Sequence, residues 1–90
     1  MKLRLSPDAI QDRRRVIGFL KNIDPNAARR ASQTIIKALR QLAQTPLIGI
    51  DLDGLRHLYI HFGDSGYVVQ YRVDADVVVV ARIFHAREDR

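Results

Sequence analysis

The hydrophobic pattern of the chain is clearest between Gly66 and His85, where the sequence reads GYVVQYRVDADVVVVARIFH. Two runs there, Tyr67–Val73 and Val77–Ile83, are rich in Val and Tyr and hold no Gly or Pro. β-Branched and aromatic residues fit a pleated, half-buried surface, so both runs predict strands. The short polar stretch Asp74-Ala75-Asp76 between them predicts a hairpin loop. Val77–Val80 is apolar at every position, which marks a strand covered on both faces in the middle of a sheet. Alternation along that strand assigns Val79, Ala81 and Ile83 to the core, and Val78, Val80, Arg82 and Phe84 to the opposite face.

Upstream the period changes. Lys2-Leu3-Arg4-Leu5 alternates and predicts a short strand with one buried face. Ser6-Pro7-Asp8 then opens a helix: Ser6 caps it, Pro7 fits its first position and Asp8 meets the positive end of the dipole. That helix runs to about Asn22, with Ile10, Val16, Ile17 and Leu20 along one side and Arg13-Arg14-Arg15 on much of the rest. Asp24-Pro25 repeats the start signal. In the second helix Ala28, Ala31, Ile35, Leu39 and Leu42 recur at spacings of three and four, which makes one apolar stripe. The short break makes the helices an antiparallel pair. Thr45-Pro46 ends the second, because a residue before Pro disfavours the helical region.

Leu47–Gly54, with Gly49 and Gly54, predicts an irregular connection. Leu55–Phe62 predicts a strand with Leu58, Ile60 and Phe62 on one face and His57, Tyr59 and His61 on the other. Arg56, on the helix side, is expected to close the Leu47–Gly54 connection as a salt bridge or carbonyl anchor, with an anion or nucleic-acid contact as the alternative. Gly63-Asp64-Ser65-Gly66 turns into the hairpin, where Val69 and Tyr71 face the helices and Gln70 and Arg72 share the face of His57 and Tyr59. The order is strand, helix, helix, strand, strand, strand. This is an α+β fold: an N-terminal strand, a two-helix antiparallel hairpin, then a three-stranded antiparallel meander, with the helices on one face of a small sheet.

Ninety residues fit one domain, residues 1–90, with a single core. The absence of cysteine excludes a disulfide framework and a thiolate metal site. His57 and His61, four apart on a strand, are separated by more than about 10 Å and cannot share a metal. Neither metal nor cofactor is expected. No apolar run approaches the ~20 residues of a membrane span, and no signal-peptide pattern is present, so a cytoplasmic location is expected. Fifteen Lys and Arg against ten acids leave a formal net charge of +5. That balance favours an acidic or polyanionic partner, and the preponderance of Arg suits planar contacts to carboxylate or phosphate.

The chain resembles the RelE/ParE toxin superfamily of type II toxin–antitoxin systems. The resemblance is carried by Ser6-Pro7-Asp8-Ala9, by Ala28, Ile35, Leu39, Leu42, Pro46 and Gly49 in that order, and by Leu55-Arg56. It continues through Tyr67-Val68-Val69-Gln70-Tyr71-Arg72-Val73 and Arg82-Ile83-Phe84-His85-Ala86-Arg87-Glu88-Asp89. It implies a toxin held inactive by a cognate antitoxin in a heterotetramer or larger assembly. One branch of the superfamily resembles ribosome-dependent mRNA endonucleases; the other, ParE-like, poisons DNA gyrase and serves plasmid stabilization. Cleavage of RNA beside its own 2′-hydroxyl requires a base, an acid and a cation for the phosphate. In RelE-like members an Arg follows the Tyr that opens the third strand; here Val68 follows Tyr67, and every Lys lies at or before Lys37.

The resemblance therefore implies a ParE-like gyrase inhibitor with no favoured catalytic residue. On the alternative, a ribosome-bound mRNA endonuclease, Arg72, Arg82, His85 and Arg87 are the candidates. A third reading is an antitoxin-binding corepressor without toxicity. The antitoxin is expected on the open sheet face through Val78, Val80 and Phe84, which are apolar anchors, and through Arg72 and Arg82. The segment after the last strand, with His85, Arg87 and Arg90, is expected to bind the target.

Overall fold

The computed structural model describes residues 1–88. Its elements are β1 (Lys2–Leu5), α1 (Pro7–Ile23), α2 (Pro25–Gln44), β2 (Ile50–Leu52), β3 (Leu55–Phe62), β4 (Ser65–Asp74) and β5 (Val77–His85). The helix starts are those that the polar caps dictate. The Ser6 hydroxyl accepts the Ala9 N–H at 3.0 Å, and the Asp24 carboxylate accepts those of Asn26 and Ala27 at 3.0 and 3.2 Å. Asp24 also closes α1, donating its N–H to the Leu20 carbonyl, so one residue ends the first helix and begins the second. The α2 stripe of Ala28, Ala31, Ile35, Leu39 and Leu42 is buried along its whole length. From Ala31 onward it packs with Ile60, Val69 and Tyr71 of the sheet in one hydrophobic cluster.

The sheet has five strands in the order β1-β5-β4-β3-β2, and both helices lie on one of its faces. β1 joins β5 in parallel and the other neighbours are antiparallel. The added strand, β2, falls in the stretch expected to be irregular. Asp53 and Gly54 both have positive φ, 56° and 87°, the geometry of a two-residue hairpin turn whose twist matches its strands. The Asp51 carboxylate accepts the Gly54 N–H at 2.9 Å and holds the turn. Arg56 donates to the carbonyls of Leu47 and Gly49 at 3.3 and 2.8 Å, the anchor expected of it. The Tyr71 hydroxyl completes this connection, accepting the Gly49 N–H and donating to the Pro46 carbonyl, each at 2.8 Å.

The facing of β5 differs from the alternation expected. Tyr71 lies opposite Val80 and Gln70 opposite Arg82, which leaves Ala81 as an extra residue in β5. Such a bulge reverses the side to which the following residues point. Before it, Val78 and Val80 enter the core; after it, Ile83 does, and all three are fully buried. Val79 turns instead to the open face, between Arg4 of β1 and Arg72 of β4, and Ala81 is only half-buried. A run of four consecutive valines carries no parity of its own, so the bulge alone decides which of them meet the helices.

Candidate functional site

β1 stops opposite Val80, and beyond that point α1 takes over the edge of β5. Ser6 makes the corner: its N–H donates to the Val80 carbonyl at 2.9 Å and its hydroxyl to the Ala81 carbonyl at 2.8 Å. Further along α1, Asp12 takes the place a continued strand would have filled. Its carboxylate accepts the Ile83 N–H at 2.9 Å, Arg82 Nε at 2.7 Å and Arg82 Nη2 at 3.0 Å, with Arg15 Nη2 at 3.4 Å. Asp12 is 4% exposed, the one buried charged residue among those described. Burial alone would raise its carboxyl. The hydrogen bonds from Arg82 and Ile83, the charge of Arg82 and the bond from Arg15 outweigh that and hold it at about 2.

Arg15, one turn on from Asp12, reaches the other way. Its Nη1 lies 2.6 Å from Glu88 Oε1, and the same oxygen accepts the His85 N–H at 3.2 Å. The hydrogen bond to Glu88 raises the Arg15 guanidinium further above its ordinary value. The turn after β5 is thereby tied to α1, and the Arg87 N–H folds back onto His85 Nδ1 at 3.1 Å.

Between these ties the helix and the end of the sheet part to form a groove of about 840 Å³. Val16, Phe19, Leu20, Phe62 and Tyr67 give it an apolar floor, and Arg15, Asp64, His85, Arg87 and Glu88 give it charged and polar walls. The Phe62 and Tyr67 rings are 6.0 Å apart, and His85 meets Tyr67 edge-on at 5.6 Å. Burial pushes the Tyr67 phenol up, so it stays neutral at physiological pH. Phe19 is 69% exposed at the mouth. An apolar floor with a charged margin is the anatomy of a protein-recognition site.

The residues singled out from the sequence fall in separate places. His85 and Arg87 stand in the groove; Arg72 and Arg82 line a smaller cleft at the start of α1 with Arg4 and Asp8. The four nuclease candidates are thus not brought together. Arg82 is occupied by Asp12, contrary to its expected role as a cation free for the antitoxin. Val78 and Val80 are fully buried and cannot anchor a partner, and Phe84, on the open face opposite Val68, is only 9% exposed. Arg72 is exposed on that face as expected. Ile50, Leu52 and Tyr59 share the face and are 70%, 51% and 51% exposed. Arg90 lies outside the described residues. No group of three or more His, Cys, Asp or Glu among the described residues gathers to hold a metal, and no helix among them is long and apolar enough to cross a membrane.

Sequence reasoning missed Phe19, Phe62 and Asp12. Asp12 carried a signal, since Ala9, Asp12 and Val16 recur at three and four on the buried side of α1.

A helical hairpin laid on a mixed five-stranded sheet, with an apolar groove where the helix and the sheet meet, defines a small α+β protein. The chain belongs to the family described as the ParE toxin of the type II toxin–antitoxin system parDE, whose model matches residues 3–90. It is 43% identical over 89 residues to toxin RelE3 of Caulobacter vibrioides, covering 98% of this chain and 97% of that one. Toxin RelE1 of the same organism is 37% identical over 87 residues, covering 96% and 94%. The fold is similar to that of a chain from the chromosomal ParDE system of P. aeruginosa, with a TM-score of 0.80 at 21% identity, covering 94% of this chain and 95% of the other. The family implies a cognate antitoxin as partner.

Proposed function

We propose that the chain is a ParE-like toxin that binds and poisons DNA gyrase in the cytoplasm and is neutralised by its antitoxin. The observation that carries this reading is the separation of Arg72 and Arg82 from His85 and Arg87, together with the apolar groove beside the latter pair. RNA cleavage needs its base, acid and phosphate-binding cation around one phosphate. Binding a protein target needs an apolar seat with a charged margin. His85 and Arg87 serve the target at that groove, with Phe19 as apolar anchor. The antitoxin covers the open sheet face, where Ile50, Leu52 and Tyr59 replace the buried valines and Arg72 meets its carboxylates.

A second reading, a ribosome-dependent mRNA endonuclease, is favoured by the names of the two relatives, both RelE toxins. The exposed Tyr59 beside His61 on the open face, with ring centroids 5.5 Å apart, offers a base-stacking surface to it. One pair of assays separates the readings. Purified toxin is mixed with gyrase and relaxed plasmid, and in parallel with ribosomes programmed with mRNA. Lost supercoiling with accumulated cleaved DNA supports gyrase poisoning; codon-positioned mRNA cuts with gyrase unaffected overturn it.

A further inference from the structure

We propose that the outward face of α2 is a docking surface for the phosphate backbone of duplex DNA. The distribution of charge is the starting point. Residues 7–44 hold eight Lys and Arg against three Asp, which leaves +5, whereas the rest of the chain holds seven of each sign. The whole net charge of the protein therefore sits on the helical hairpin. Within it, α2 contains no acid at all. Its four cations, Arg29, Arg30, Lys37 and Arg40, are all exposed, and none has an ion pair among the described residues.

Helical phase puts these four on one side. At 3.6 residues per turn they fall within an arc of about 100°, in a row about 17 Å long. Gln33 and Gln44 lie inside that arc and are exposed too, as is Gln41 near its margin. Guanidinium, ammonium and amide groups are the donors that proteins turn to phosphate oxygens.

What the stripe lacks identifies its ligand as clearly. The buried apolar residues of α2 are on the opposite side and half-buried Ile36 falls outside the arc, so the stripe itself offers no anchor of the kind that protein partners and bilayers require. It has no aromatic residue on which the bases of a single strand stack. A wholly polar cationic row on one helix fits the backbone of a duplex, where binding is electrostatic and independent of sequence. DNA is the duplex that a gyrase-directed toxin meets. That choice rests on the reading above, while the charge argument does not.

The test is a titration of the whole chain against a fluorescent 20-base-pair DNA duplex over a range of salt concentrations. Four phosphate contacts give a slope of log K against log salt of about −3.6. The double variant Arg30→Gln with Arg40→Gln removes two charges from the stripe and keeps good helix formers. Its slope falls in magnitude by about 2. Lys2→Gln with Arg4→Gln removes the same charge from exposed positions of β1, and its slope stays that of the parent. Thermal unfolding confirms that both variants are folded; if the double variant is not, Arg30→Gln and Arg40→Gln are read singly, each moving the slope by about 1. Equal losses from the two pairs overturn the proposal. So does a preference for duplex RNA, for single-stranded DNA or for polyglutamate over the DNA duplex. No gyrase is present, so failure of the gyrase reading shows separately, in the supercoiling assay.

Discussion

Replacing Asp12 tests the joint between α1 and β5 directly. A carboxyl held at about 2 in the folded chain, against 3.8 ordinarily, contributes roughly 2 kcal/mol of stability at neutral pH. The folded value is the lower one, so the contribution is complete above about pH 5 and is lost as the pH falls through about 2; nearly half has gone by pH 3. Asp12→Asn keeps an oxygen to accept the Ile83 N–H and removes the charge, so it should cost roughly that 2 kcal/mol. Asp12→Ala also leaves the Ile83 N–H without an acceptor, which adds about 1–3 kcal/mol. Urea unfolding of the parent and both variants at pH 7, 5, 4 and 3 reads these terms. The gap between parent and Asn variant should be constant from pH 7 to 5 and close steadily below. A gap that does not change with pH, or an Ala variant no weaker than the Asn one, refutes the account of how α1 caps the edge of β5.

Leu39→Ala, at a buried position of the α2 stripe, should cost roughly 2–5 kcal/mol in the same assay, and a loss under about 1 kcal/mol would place that stripe outside the core. Tyr71→Phe removes the hydroxyl that accepts from Gly49 and donates to Pro46; a loss of about 1–3 kcal/mol is expected from the orphaned N–H, with faster amide exchange at Gly49 as the local readout. Phe19→Asp should leave the unfolding free energy within about 0.5 kcal/mol of the parent because the ring is mostly exposed. It should nonetheless abolish gyrase poisoning, and a fully active, folded variant removes the groove from the target interface.

The helices were legible because their signals are local. Ser6-Pro7 and Asp24-Pro25 mark their own starts, and the α2 stripe repeats at the helical period. The facing of β3 and β4 was legible from alternation for the same reason. β2 was obscured by its two flanking glycines, although Asp53-Gly54 between short apolar stretches is the usual mark of a two-residue hairpin. The inward turn of Val78 and Val80 was not legible, since it depends on one extra residue at Ala81, and that residue is defined only by the pairing of β5 with β4. The groove was hidden for a related reason. Phe19 and Phe62 lie far apart in sequence, and only the packing of α1 against the end of the sheet brings both to one groove.

The place of β5 in the sheet has a consequence for synthesis. It pairs with β1, whose Lys2 precedes its partner Val77 by 75 residues, and it supplies Val78, Val80 and Ile83 to the core. A ribosome extends the chain at about 5–20 residues per second, from the N-terminus onward. β1 is therefore made first and has no neighbour until the strand beginning at Val77 has cleared the exit tunnel. Until then Asp12 lacks the Ile83 N–H and the Arg82 guanidinium, and Arg15 has no Glu88 to meet. The groove, with α1 on one side and the end of β5 on the other, does not exist on the nascent chain. A message broken or stopped before the codon for Val77 yields a fragment without β5, so the groove comes into being only as translation of this chain nears Glu88.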